Sequence, residues 1–135
     1  MGIVYATRRF DFSAAHRYWR REWSEEENQK LFGSLTMLHG HNYGLEVTVR
    51  GVPNEETGMV IEFGEMDAIV GEGVLARFDH RNLNDDPAFT SGTIPTSEQL
   101  VLVIWEILAP KIGADRLWRL RLWEDPTFSV DYYGA

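Results

Sequence analysis

His39-Gly40-His41 stands at the mouth of an alternating run, and no other feature of the chain narrows its fold as far. A strand sends residues i and i+2 to the same face. Leu45, Val47 and Val49 share the parity of the two histidines, while Glu46, Thr48 and Arg50 take the other face, so both imidazoles point toward the covered side. A second alternation, Phe10, Phe12, Ala14 and His16 against Asp11 and Ser13, brings a third imidazole to the core side of a neighbouring strand. A lone histidine is more often a hydrogen-bonded core residue or a solvated loop residue than a ligand. Three that converge, with a fourth position open, are the donor set of a catalytic type of zinc site.

The remaining segments are read as elements that cover these two strands. Residues 3–15 form the first strand and deliver His16 at its end. Residues 17–27 mix Tyr18, Trp19 and Trp23 with Arg20, Arg21 and three glutamates, which fits an ordered loop or short helix over a site as well as a solvated charged loop. The second strand runs to about residue 52. Pro53 to Gly58 then supplies turn chemistry, and residues 59–63 are expected to return as a strand. Met66, Ile69, Val70, Gly73, Val74 and Phe78 recur at helical spacing.

Asp79-His80 follows that helix directly. A carboxylate beside an imidazole is a candidate proton-transfer pair, although taken alone the dipeptide fits a helix-end and loop role better. Thr96 reads as an N-cap with Gln99 as its capping-box partner, opening a helix that Pro110 and Gly113 end. Residues 116–124 alternate so that Trp118, Leu120, Leu122 and Glu124 share a face. A carboxylate on the apolar parity needs a partner to offset its burial. Residues 127–133 are the last strand. The order β-β-β-α-α-β-β predicts an α+β domain, one antiparallel sheet with two helices packed on one face.

Composition excludes several classes. At 135 residues the chain fits one domain spanning 1–135. A formal charge of -8 opposes nucleic-acid or anionic-membrane partners, leaving small molecules and proteins. With no cysteine, any zinc must be held by nitrogen and oxygen. The N-terminus carries no basic region followed by a long apolar run, and no stretch approaches the ~20 apolar residues needed to span a bilayer. The expectation is a soluble, cytoplasmic protein.

Phe12-Ser13-Ala14-Ala15-His16, Leu38-His39-Gly40-His41-Asn42-Tyr43, Thr57-Gly58-Met59-Val60, Phe78-Asp79-His80-Arg81-Asn82-Leu83-Asn84, Pro95-Thr96-Ser97-Glu98 and Trp123-Glu124 occur in this order over nearly the whole chain. Together they resemble the 6-pyruvoyl-tetrahydropterin synthase and 6-carboxy-tetrahydropterin synthase family. The resemblance implies a T-fold that assembles through its sheets into a barrel, as a homo-hexamer built from two trimers with active sites at subunit interfaces. It implies His16, His39 and His41 on Zn2+, Asp79 and His80 as a proton relay, and Glu124 anchoring the aminopyrimidine edge of a pterin. Thr96, Ser97 and Glu98 match a second stretch lining that pocket. Two parallel N–H bonds from a guanidine-like edge would give Glu124 its missing partner.

One departure stands out. Family members that make the pyruvoyl or carboxy product carry a cysteine base shortly before His-Gly-His, where this chain has Gly33-Ser34-Leu35-Thr36-Met37. Ser34 and Thr36 are poor substitutes for a thiolate, and Glu25, Glu26 and Glu27 lie further away in sequence. The leading expectation is a zinc-dependent lyase acting on 7,8-dihydroneopterin triphosphate or a related dihydropterin. Retro-aldol cleavage of the side chain and a non-catalytic pterin-binding T-fold protein are the alternatives, both favoured by the absent thiol. Folate, biopterin and deazapurine (queuosine) pathways all fit.

Overall fold

The computed structural model describes residues 2–135. Five strands, β1 (Val4–His16), β2 (His39–Gly51), β3 (Arg81–Asn82), β4 (Leu117–Asp125) and β5 (Phe128–Tyr132), form one sheet in the order β3-β1-β2-β4-β5. β1 and β2 pair antiparallel from Val4 opposite Gly51 to His16 opposite His39. β4 and β5 extend the sheet antiparallel, and β3 lies parallel to β1 at Ala14 and Ala15.

The helices are α1 (Glu25–Phe32), α2 (Phe63–Val70), α3 (Ala76–Phe78) and α4 (Ser97–Ile112). A π-helical stretch, Gly71–Leu75, joins α2 to α3. Met66, Val70, Val74 and Phe78 from this rod and Leu100, Ile104 and Leu108 from α4 are buried with Phe12, Tyr43, Leu45, Val47, Leu120 and Leu122 of the sheet. Close approach is built in at Gly73, where an added Cβ would come within 2.9 Å of Ile107. The other face of the sheet is polar: the Thr7 and Thr48 hydroxyls meet at 2.7 Å, and Glu46 accepts from Arg119 and from Trp123 Nε1.

Leu120 is fully buried in β4, in the core between sheet and helices. Leu120→Ala is expected to cost about 2–5 kcal/mol, the range for a large-to-small change that leaves a cavity. Urea denaturation measures it, and a loss below about 1 kcal/mol would show that the helix layer does not press on the sheet there.

The α+β layering is as expected, with the α2–α3 rod and α4 packed side by side on one face of the sheet, but three local readings need correction. Residues 59–63 are not a strand. Asn54 N–H closes the turn onto Met59 O, Ile61 turns into the core, and helix α2 already begins at Phe63, so the element order is not β-β-β-α-α-β-β. The third strand is instead the two-residue β3 after the helix. Trp118 does not share the core face with Leu120: the ladder with β2 slips between Thr48 and Val49, opposing Arg119 and Leu117 respectively, so Leu117 takes the buried place. Pro110 lies inside α4, which runs on to Ile112 and stops at Gly113 with φ 109°. The segment 17–27 is a loop that passes into a short helix, α1, at Glu25, in keeping with its mixed composition.

Candidate metal centre

Because β1 ends opposite the first residue of β2, His16 and His39 face each other, and His41 follows on the same side of β2. The His16 ring centroid is 4.7 Å from that of His39 and 5.1 Å from that of His41, and the last two are 5.1 Å apart. One ligand nitrogen from each lies within 4.8 Å of the others. Their protonation follows from the neighbours. His16 Nδ1 is 2.7 Å from Pro95 O, and His39 Nδ1 is 2.8 Å from Met37 O. A carbonyl oxygen only accepts, so each Nδ1 carries a proton, and in the neutral ring Nε2 is the nitrogen open to a ligand.

His16 Nε2 is buried with no hydrogen-bond partner among the described residues. An orphaned buried nitrogen is costly, and a cation shared with His39 and His41 would satisfy it. Burial is the main reason that His16 has a pKa below the usual 6.5; the Pro95 carbonyl opposes this, the neighbouring His39 and His41 add to it, and Glu124 opposes it. The ring is therefore neutral at neutral pH, the state that coordination requires. Backbone carbonyls that fix both tautomers are the outer support such ligands use. The three residues fit a nitrogen-preferring divalent metal.

Glu124, near the end of β4, places Oε1 3.9 Å from His16 Nε2 and 4.0 Å from His41 Nε2. Buried Ser97 donates to the same oxygen at 3.0 Å, so the first residue of α4 fixes the carboxylate. The carboxylate on the apolar parity thus has a partner in its own chain, and its other oxygen takes no bond from a described residue. Thr96 is the expected N-cap: its Oγ1 accepts from Gln99 N at 3.1 Å. That bond ties the hydroxyl to the helix end. Glu98 is exposed.

Two tyrosines complete the surroundings. Tyr43 Oη lies 3.4 Å from His16 Nδ1. Its pKa is pushed up by burial first, then by Glu124 and by Tyr18. The Tyr18 ring meets His16 edge-on at 5.4 Å and lies 6.5 Å from His39. Burial first, then Glu124 and Glu98, push its pKa up to about 12. The sequence gives neither tyrosine a role, yet each stands two residues after a histidine, and for Tyr43, inside β2, strand parity is the available signal.

Asp79 and His80 do face each other, at 3.0 Å between Oδ1 and Nδ1. The same carboxylate oxygen accepts from Ser13 N at 2.9 Å, and His80 N–H donates to Ser13 O. Both bonds clamp the end of α3 onto β1, and they hold His80 at φ 62°, rare for a residue with a side chain. The Ser13 N–H, more than His80, keeps the Asp79 carboxyl below the usual range. No hydrogen bond joins this pair to the three histidines. His80 is 83% exposed, and it shares an open groove of about 450 Å³ with His41 and Asn42.

The stretch before His39 is a 3₁₀ turn, Gly33–Thr36. Thr36 is buried, its hydroxyl donating to Gly33 O and accepting from Gln29 Nε2, both at 2.8 Å. Leu35 is 41% exposed, and its carbonyl accepts from Tyr18 N at 2.9 Å. Ser24 caps α1 by accepting from Glu27 N, and the Glu27 carboxylate returns to the Ser24 hydroxyl. The three glutamates of the first turn are exposed and suit a helix N-terminus.

Residues 5–135 match the family model described as 6-pyruvoyl tetrahydropterin synthase. The chain is 37% identical over 131 residues to 6-pyruvoyl tetrahydrobiopterin synthase of Dictyostelium discoideum, covering 97% of this chain and 96% of that one. It is 35% identical over 133 residues to dihydroneopterin monophosphate aldolase of Pyrococcus furiosus, covering 96% and 94%. The structure of Caenorhabditis elegans 6-pyruvoyl tetrahydropterin synthase superposes with a TM-score of 0.92 at 33% identity, over 100% of this chain and 98% of that chain. The fold is the T-fold.

Proposed function

We propose a zinc-dependent pterin lyase, on the premise that this chain belongs to the 6-pyruvoyl tetrahydropterin synthase family. The observation that carries it is the convergence of His16, His39 and His41 with Glu124 about 4 Å from two of them. A bound zinc would supply a Lewis acid toward the oxygens of the substrate's side chain. The substrate class is 7,8-dihydroneopterin triphosphate or a related dihydropterin.

Each residue then has a task. Glu124, held by Ser97, accepts the aminopyrimidine N–H groups and sets the ring so that its side chain reaches the histidines. Thr96 and Glu98 line the same end of α4. His80 moves protons, and Asp79, pinned by Ser13 N–H, holds the imidazole through its Nδ1. Glu124→Ala is expected to weaken pterin binding, read by fluorescence titration, by roughly 10–200-fold, the cost of losing charge-assisted bonds worth about 1.5–3 kcal/mol.

The missing cysteine supports a second reading, retro-aldol cleavage of the C1′–C2′ bond, and the aldolase of Pyrococcus furiosus among the relatives favours it. Mass spectrometry after incubating zinc-loaded protein with dihydroneopterin triphosphate separates the two. Triphosphate elimination without loss of carbon marks the pyruvoyl route; a hydroxymethyl pterin and a two-carbon aldehyde mark the retro-aldol route. Tight binding with no conversion of that substrate or of the unphosphorylated dihydroneopterin would leave a pterin-binding protein and defeat the lyase reading.

The whole chain is proposed to act as one T-fold domain in a cytoplasmic homo-hexamer. Support comes from the sheet edges, since β3 covers β1 only at Ala14 and Ala15 and β5 borders the other side. Among the described residues no helix is long and apolar enough to cross a membrane. Light scattering at micromolar concentration is expected to give six chains per particle, and a monomer would overturn the shared-site arrangement.

A further inference from the structure

We infer that Tyr18 is a substrate-binding residue whose hydroxyl donates a hydrogen bond to an oxygen on the pterin's side chain, beside the three histidines. The inference rests on the pterin reading of the site. Tyr18 stands two residues past His16, the last residue of β1, and its backbone is pinned by Tyr18 N to Leu35 O at 2.9 Å. Its ring is fixed on two sides, edge-on to His16 at 5.4 Å and edge-on to Phe32 at 5.8 Å. An aromatic side chain with two torsions, packed this way, presents its polar end at one place.

That end is the functional part. The hydroxyl makes no hydrogen bond to any described residue, although Glu124 and Glu98 lie near enough to act on it. Tyr43 differs, because its hydroxyl is turned to His16 Nδ1 at 3.4 Å. A ring seated on Glu124 sends its side chain past the histidines, where hydroxyl oxygens are the groups within reach of a phenol. A neutral phenol both donates and accepts, so it suits a polyol. The ligand class is therefore a dihydropterin with a hydroxylated side chain, and side-chain oxygen is the feature that Tyr18 reads.

The test compares two ligands on two proteins. Zinc-loaded protein and Tyr18→Phe, matched for zinc content and thermal midpoint, are titrated with 7,8-dihydroneopterin and with 7,8-dihydropterin, which lacks the side chain. Phenylalanine keeps the packing against His16 and Phe32 and removes one donor. The expected result is affinity for dihydroneopterin reduced by about five- to tenfold, the size of one neutral hydrogen bond, with dihydropterin binding unchanged. Equal affinity of both proteins for dihydroneopterin overturns the inference, as does an equal loss for both ligands, which would place the hydroxyl against the ring. If the unmodified protein binds neither pterin, the pterin reading itself has failed, and the inference falls with it.

Discussion

His41→Ala is expected to abolish stoichiometric zinc binding and, with it, turnover. The three ligand nitrogens lie within 4.8 Å of one another, and no cysteine is available to replace any of them. Loss of an outer support alone costs 10–100-fold in metal affinity, so loss of one ligand of three should cost more than about 100-fold. His41 is the informative choice because its side chain is 20% exposed, whereas that of His16 is fully buried, and truncating His16 would mix a core cavity with the lost ligand. Metal analysis after dialysis against a weak chelator reads the result. One tightly bound zinc per His41→Ala chain, at unchanged affinity, would show that the metal sits elsewhere.

The parts of this site that were legible in the sequence are those governed by strand parity. Phe12, Ala14 and His16, like Leu45, Val47 and Val49, fall on the buried face because a strand alternates whatever it pairs with. The place where parity failed, Trp118, is where the ladder slips, and a bulge is set by pairing between strands that a single segment does not display. Residues 59–63 failed for a related reason. Val60 and Ile61 have strand-forming side chains, but no strand pairs with them, and burial of Ile61 in an irregular turn outweighs local propensity.

The same division runs through the chemistry. Glu124 was legible as a carboxylate on the wrong parity, but its partner Ser97 comes from a helix distant in sequence. The carbonyls that fix the two histidine tautomers, Pro95 and Met37, carry no sequence signal at all, since every residue has one. Asp79 shows the opposite error of scale. As a dipeptide with His80 it looked like a helix-end feature or a proton relay, and its carboxylate makes both sets of contacts at once.

The absent thiol should separate binding from chemistry. By resemblance, pyruvoyl-forming members abstract a proton with a cysteine just before His-Gly-His, and here that stretch holds Leu35, exposed on a 3₁₀ turn. Of its neighbours, Thr36 has its hydroxyl buried and bonded twice, and Glu27 is tied to the Ser24 cap. Pterin should therefore bind normally while conversion to the 6-pyruvoyl product is slower by about 10²–10⁴-fold than in a thiol-bearing relative, the usual worth of general-base assistance. His80→Ala should lower the residual turnover further and leave binding intact, because His80 is exposed and outside the hydrogen bonds of the histidine group. Leu35→Cys tests the missing base directly. Its exposed position tolerates the smaller side chain, so gain of pyruvoyl product with unchanged pterin affinity is the expected outcome. Rapid pyruvoyl formation by the unmodified protein would show that a base already operates, and Glu25 and Glu26, the two first-turn carboxylates not bonded to Ser24, would be the first to replace with glutamine.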